Sequence, residues 1–160
     1  MKTIGSLFAA TASVLLLSVA GLSPAHAQSI SEEPNFGSVR LSAGFTPDPY
    51  VVEVTAGGSI DAFLETPLPV ECVGKISDAP DFRVTYTAGS FPLVFRTIST
   101  EDTTLVINGP DTSWSCDDDS FGDGDAEVTF RRPQSGVYDI WVGTYGEDTI
   151  DAVLIITETP

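Results

Sequence analysis

The chain has 160 residues, 42% of them hydrophobic, and its 23 acidic residues against seven Lys and Arg give a formal net charge of −16. So acidic a protein is a poor partner for nucleic acid or for anionic membrane surfaces, because both require a basic face. Hydrophobic residues nevertheless recur in short, regular bursts, which indicates a folded domain and not a disordered acidic tail.

The first 27 residues have the pattern of a secretory signal peptide. Lys2 precedes an apolar run from Leu7 to Leu22, and small residues follow up to Ala27. The pattern predicts cleavage between Ala27 and Gln28, and the apolar run is short for a membrane span. We therefore expect a secreted or periplasmic protein without membrane attachment after cleavage, formed by one domain over residues 28–160. Cleavage would remove Lys2 and no acid, so the formal charge would become −17.

The remaining chain has the pattern of an all-β domain. Short apolar or alternating segments are separated by clusters of Gly, Pro, Asp and Ser. We predict an antiparallel, two-layer β-sandwich of about eight to ten strands. The predicted strands are, in chain order, 38–43, 50–55, 59–64, 82–87, 92–98, 103–108, 113–117, 126–131, 137–145 and 152–157. The repeated sequence Thr-Ala-Gly at 55–57 and 87–89 is predicted to turn each preceding strand into the next as a hairpin.

The predicted strand at 137–145 has two apolar faces. Tyr138, Ile140 and Val142 share one face, and Trp141 and Tyr145 share the other. Two interpretations are open: the strand is central and buried on both faces, or its aromatic face meets a partner. Core packing is the preferred one.

Cys72 and Cys116 are the two cysteines of the chain, and both lie in the part predicted to be exported. An oxidising compartment makes a disulfide between them the default expectation. In the chain-entropy picture, closing a loop of that length stabilises a fold by about 4 kcal/mol.

Several enzyme classes are excluded by composition. The one histidine, His26, lies in the predicted signal peptide, so the mature chain lacks the base used by Ser-His-Asp and Cys-His hydrolases and lacks histidine-based zinc sites. No nucleophile motif or phosphate-binding loop is present. We assign no catalytic residue. Carboxylate-pair chemistry of the glycosidase kind remains open, but nothing selects two acids from so many.

An acidic loop follows Cys116. Six carboxylates lie within eleven residues, together with Gly122 and Gly124, which let the backbone bend. Calcium gathers carboxylate and carbonyl oxygens and would relieve the repulsion among these acids. A solvated turn rich in good turn formers is the alternative. The candidate calcium ligands are Asp117, Asp118, Asp119, Asp123, Asp125 and Glu127. Asp102 from a neighbouring strand is an added candidate, for which a role as a turn or strand-start residue is the preferred interpretation.

The C-terminal half resembles a bacterial pre-peptidase C-terminal domain. The matching segments are Asp81-Phe82, Asp102 to Ile107, the turn Pro133 to Tyr138, and Ile140 to Gly143. This resemblance implies a jelly-roll-like β-sandwich of the kind appended to secreted peptidases and also found alone, with relatives that bind calcium or matrix protein. The Asp run and the cysteine pair depart from the family pattern.

These observations together predict an exported, non-catalytic binding or structural module, stabilised by calcium, with a protein, envelope or extracellular-matrix partner. The alternative is a secreted hydrolase, or an accessory subunit of a peptidase, since some relatives carry peptidase labels. Calcium-dependent stability without turnover distinguishes the first interpretation from the second.

Overall fold

The computed structural model describes residues 28–122 and 124–160. The predicted signal peptide and its cleavage site at Ala27 lie outside the described residues, as does Asp123, whereas Gln28 lies within them. None of the described residues belongs to a helix that is long and apolar enough to span a membrane.

The described residues form eleven strands in two packed sheets, so the predicted all-β, two-layer fold with one disulfide is confirmed. The strands are β1 (Ser38–Ser42), β2 (Tyr50–Ala56), β3 (Ile60–Asp61), β4 (Lys75–Ile76), β5 (Phe82–Thr87), β6 (Leu93–Ile98), β7 (Thr103–Asn108), β8 (Trp114–Asp117), β9 (Glu127–Phe130), β10 (Gly136–Thr144) and β11 (Ile150–Thr157).

The larger sheet is built around β10. On one side β10 pairs with β5, which pairs with β1, and on the other side it pairs with β7, which pairs with β8. The short strand β4 joins β10 at Thr144 and pairs in turn with β3. The smaller sheet has the order β2-β11-β6-β9. Among the pairs of described strands, β1 and β5 alone run parallel, which the long excursion of the chain between them allows.

The principal core fills the space between the sheets. Tyr138, Ile140 and Val142 of β10 face Leu154 and other side chains of the smaller sheet, and Phe95 packs on Tyr138 with ring centroids 5.8 Å apart. The alternation of apolar and polar residues in β5 follows directly, since Phe82, Val84 and Tyr86 are buried while the residues between them are partly exposed.

A second, smaller core covers the outer face of the larger sheet. Trp141 is fully buried there against Val106 and Ile76, under the segment that contains β3 and β4. The disulfide between Cys72 and Cys116 joins that segment to β8. Around Trp141, strand β10 is therefore buried on both faces, which agrees with the core-packing interpretation for this residue. Tyr145, which follows the strand, is 64% exposed and does not belong to the core.

The hairpin prediction was wrong. The chain leaves β2 of the smaller sheet through Gly57 and enters β3 of the larger one, and it leaves β5 of the larger sheet and enters β6 of the smaller. Each Thr-Ala-Gly therefore carries the chain between sheets. The turn residues permit a change of direction, but the buried faces of the flanking strands decide where the chain goes next.

The predicted strand at 59–64 was too long. Only Ile60–Asp61 form a strand, because the Asp61 carboxylate accepts hydrogen bonds from the backbone N–H groups of Phe63 (3.1 Å) and Leu64 (2.9 Å) and so turns the chain. The two-residue strand Lys75–Ile76 was not predicted.

Candidate functional site: an acidic loop end

One end of the sandwich is formed by the described residues of three loops, 99–102, 118–126 and 145–149, which we call the acidic end. The loops are joined by backbone hydrogen bonds, from Thr103 N to Gly124 O at 2.8 Å and from Tyr145 N to Asp102 O at 3.2 Å. The carboxylates of the described residues in these loops are Glu101, Asp102, Asp118, Asp119, Asp125, Glu147 and Asp148.

Two of the predicted calcium ligands are already occupied by protein groups. The Asp117 carboxylate accepts hydrogen bonds from Ser120 N at 2.9 Å, from the Ser120 hydroxyl, and from Glu127 N at 2.8 Å. The Glu127 carboxylate forms an ion pair with Arg96, and the Arg96 guanidinium lies 4.7 Å from the ring centre of Phe121. Asp117 and Glu127 therefore shape the loop and anchor it to β6.

Asp125 is buried, and its carboxylate contacts the neighbouring loop. It is 8% exposed, and its Oδ1 accepts a hydrogen bond from Ser99 N at 3.0 Å. The Thr103 hydroxyl lies 3.5 Å from the same oxygen. This carboxylate therefore ties the 118–126 loop to the 99–102 loop.

Asp102 lies in an acidic environment. Burial raises the pKa of its carboxyl, and the charges of Asp119, Asp118 and Asp125 raise it further. The 99–102 and 118–126 loops thus bring these four carboxylates within electrostatic reach of one another.

The described residues do not contain a ready-made coordination sphere. Within 28–122 and 124–160, no group of three or more His, Cys, Asp or Glu side chains is arranged to hold a metal ion. The donor chemistry fits calcium, since the residues that converge on Asp102 offer only hard carboxylate oxygens.

A cleft beside the acidic end was not predicted from the sequence. It has a volume of about 280 Å³, and it shares Tyr145 and Glu147 with an adjoining acidic depression lined by Glu101, Asp102 and Asp148. The cleft is lined by Asp61, Phe63, Leu64, Val73, Gly74, Lys75, Tyr145 and Glu147. The apolar pair Phe63 and Leu64 could have indicated this surface, but both residues were assigned to a strand and were therefore not considered as exposed side chains.

A buried acid lies outside the acidic end. Asp81 is 1% exposed, and it accepts hydrogen bonds from Val142 N at 2.7 Å, from Asn35 Nδ2 at 3.0 Å and from the Ser77 hydroxyl at 3.2 Å. Burial raises the pKa of this carboxyl to about 6, against the opposing effect of the three donors. Its contacts join β10 to the leading segment, residues 28–37 before β1, and to Ser77 in the chain between β4 and β5.

Comparisons with protein-family models, with curated proteins and with solved structures find no match to this chain.

Proposed function

We propose that the chain is an exported, non-catalytic β-sandwich module of the periplasm or the extracellular space, whose acidic end binds calcium and whose loops contact a protein partner of the envelope or matrix. The resemblance to pre-peptidase C-terminal domains belongs to this proposal. The observation that carries it is the hydrogen-bonded packing of the 118–126 loop on the chain at 99–103, which brings the charges of Asp118, Asp119 and Asp125 within electrostatic reach of Asp102.

Electrostatics support a cation at this position. Two like charges 4 Å apart repel by about 1 kcal/mol in water and by about 4 kcal/mol at an effective dielectric constant of 20. Neighbouring cations do not offset this repulsion, because Lys75 is paired with Asp61 at 3.4 Å and Arg96 with Glu127. The acids that remain available to calcium are Asp102, Asp118 and Asp119, whereas Asp125 uses its Oδ1 in the contacts with Ser99 and Thr103 and would offer its other oxygen. In the sequence, Asp123 belongs to the same loop.

The competing interpretation is a secreted hydrolase or an accessory subunit of a peptidase. A hydrolase of the carboxylate-pair type needs a general acid with a raised pKa that substrate can reach. The pKa of Asp81, at about 6, would suit that role, but the side chain is sealed from solvent and accepts three hydrogen bonds. A structural role for Asp81 accounts for the same facts, so non-catalytic binding is preferred.

Thermal unfolding of the mature domain in calcium and in chelator tests this proposal. The decisive variant combines Asp102→Asn with Asp119→Asn, and the matched control combines Glu32→Gln with Glu33→Gln, which removes the same charge from the exposed leading segment. Calcium at one hundred times its Kd should stabilise the wild type and the control by about 2.7 kcal/mol.

The acidic-end variant should behave in the opposite way. It should unfold at a higher temperature than the wild type in chelator, because the repulsion is relieved, and it should gain little from calcium. A wild-type melting temperature that is the same in millimolar calcium and in chelator would remove calcium from the proposal. Hydrolysis that persists through purification and is lost on changing one acid pair would favour the competing interpretation.

A further inference from the structure

The cleft beside Tyr145 exposes an unusual amount of apolar surface. Phe63 is 52% exposed, Leu64 is 74% exposed and Tyr145 is 64% exposed, and these side chains line a single depression. Single exposed apolar residues need no explanation, but a contiguous apolar depression with a polar rim is typical of a contact surface.

The cleft is held in shape by the fold. Asp61 accepts hydrogen bonds from the backbone N–H groups of Phe63 and Leu64 and also pairs with Lys75. Ala62 N donates to Gly74 O at 2.9 Å, and the disulfide at Cys72 fixes the same loop to β8. A partner would therefore meet exposed apolar side chains on an ordered backbone, at a small cost in conformational entropy.

The charges around the cleft select the kind of partner. Glu147 lines it, and Asp148 and Glu101 line the adjoining depression that shares Tyr145 with it. The one basic side chain in the cleft lining, Lys75, is neutralised by Asp61. A second copy of this chain would bring the same negative end to the contact, so self-association is opposed. A cationic partner is favoured, and a guanidinium or ammonium group could also stack on the Tyr145 ring.

We propose that this cleft binds a protein segment in which Arg or Lys lies next to a large apolar residue, the apolar side chain lying against Phe63 and Leu64 and the cation beside Tyr145 and Glu147. The inference rests on the proposed binding role and names its partner chemistry. It does not depend on calcium.

The experiment probes an array of immobilised random short peptides with the folded mature domain, in chelator and in calcium. The bound set should be enriched in Arg or Lys adjacent to Leu, Phe or Trp. The strongest of these peptides, free in solution, should bind at least about tenfold more weakly to Phe63→Ser and to Tyr145→Ser, as expected for anchor residues. Phe91→Ser is the matched control, because Phe91 is 51% exposed in the loop between β5 and β6 and is absent from the cleft lining.

The charge requirement is tested separately. Combining Glu147→Gln with Asp148→Asn should lower the affinity for the same peptide, and this loss of affinity should shrink as the salt concentration is raised. The control pair, Glu32→Gln with Glu33→Gln, should leave the affinity unchanged. A bound set without basic enrichment, or equal binding by Phe63→Ser and Phe91→Ser, would overturn the inference. A concentration-dependent dimer abolished by Phe63→Ser would overturn it too. A calcium response without peptide binding would sink this inference and leave the calcium proposal intact.

Discussion

Asp81→Asn should remove a defined part of the pH dependence of folding. The Asp81 carboxyl has an ordinary pKa of 3.8 and a folded-state pKa of about 6, because burial disfavours its charged form. Between these two values the folded state holds a proton that the unfolded chain has released. The stabilisation that the protonated Asp81 carboxyl gives the folded state is therefore present below about pH 4 and is lost as the pH rises through about 6.

The magnitude follows from the size of the shift. About two pH units correspond to roughly 3 kcal/mol at 1.36 kcal/mol per unit. Other carboxyls also change stability with pH, since the pKa of Asp139 is raised by burial while backbone hydrogen bonding lowers that of Asp61. The difference between wild type and variant isolates Asp81. In the variant, the amide oxygen of the substituted side chain can still accept the hydrogen bond from Val142 N.

The assay is urea unfolding of both proteins at several pH values from 3.5 to 7.5. Relative to the variant, the wild type should lose about 3 kcal/mol in all from pH 3.5 to 7.5, with most of the loss, about 2 kcal/mol, between pH 4 and 6. Parallel stability curves for the two proteins across that window would refute the assignment of a raised pKa to Asp81.

Two further predictions concern the second core. Cys72→Ser with Cys116→Ser should lower the free energy of unfolding by about 4 kcal/mol, since the disulfide closes a loop with a sequence separation of 44; equal urea midpoints for this variant and the oxidised wild type would contradict it. Gly143→Ala should destabilise by about 1–3 kcal/mol, because a Cβ would lie 2.3 Å from the Thr104 hydroxyl. The control Gly146→Ala meets nothing within 4 Å and should be far milder in the same urea titration, so equal losses would refute the packing argument.

The strands could be predicted from the sequence where apolar residues either alternate with polar ones or form a continuous run. In β5 and β10 the side chains face the interior as their sequence period requires. The prediction failed at 59–64, where apolar residues were assumed to be buried. Phe63 and Leu64 are exposed because the Asp61 carboxylate captures their backbone N–H groups, a local competition that hydrophobic pattern alone does not reveal.

The candidate site was predictable as a collection of acids but not as a set of roles. Asp117 is satisfied by Ser120 and by the backbone of Glu127, and Glu127 pairs with Arg96, which lies 31 residues earlier. An ion pair between residues so far apart in the sequence depends on the pairing of β6 with β9. The spacing of residues along the sequence does not reveal which strands pair. The disulfide was predictable because the chain has only two cysteines, whereas its role in covering Trp141 required the fold.

Isothermal titration of calcium into the chelator-treated mature domain tests the central claim most directly. The account predicts a saturable heat of binding that the Asp102→Asn and Asp119→Asn pair abolishes and the Glu32→Gln and Glu33→Gln pair preserves. No heat at protein concentrations that suffice for millimolar affinity, or a heat that both variants retain equally, would contradict it.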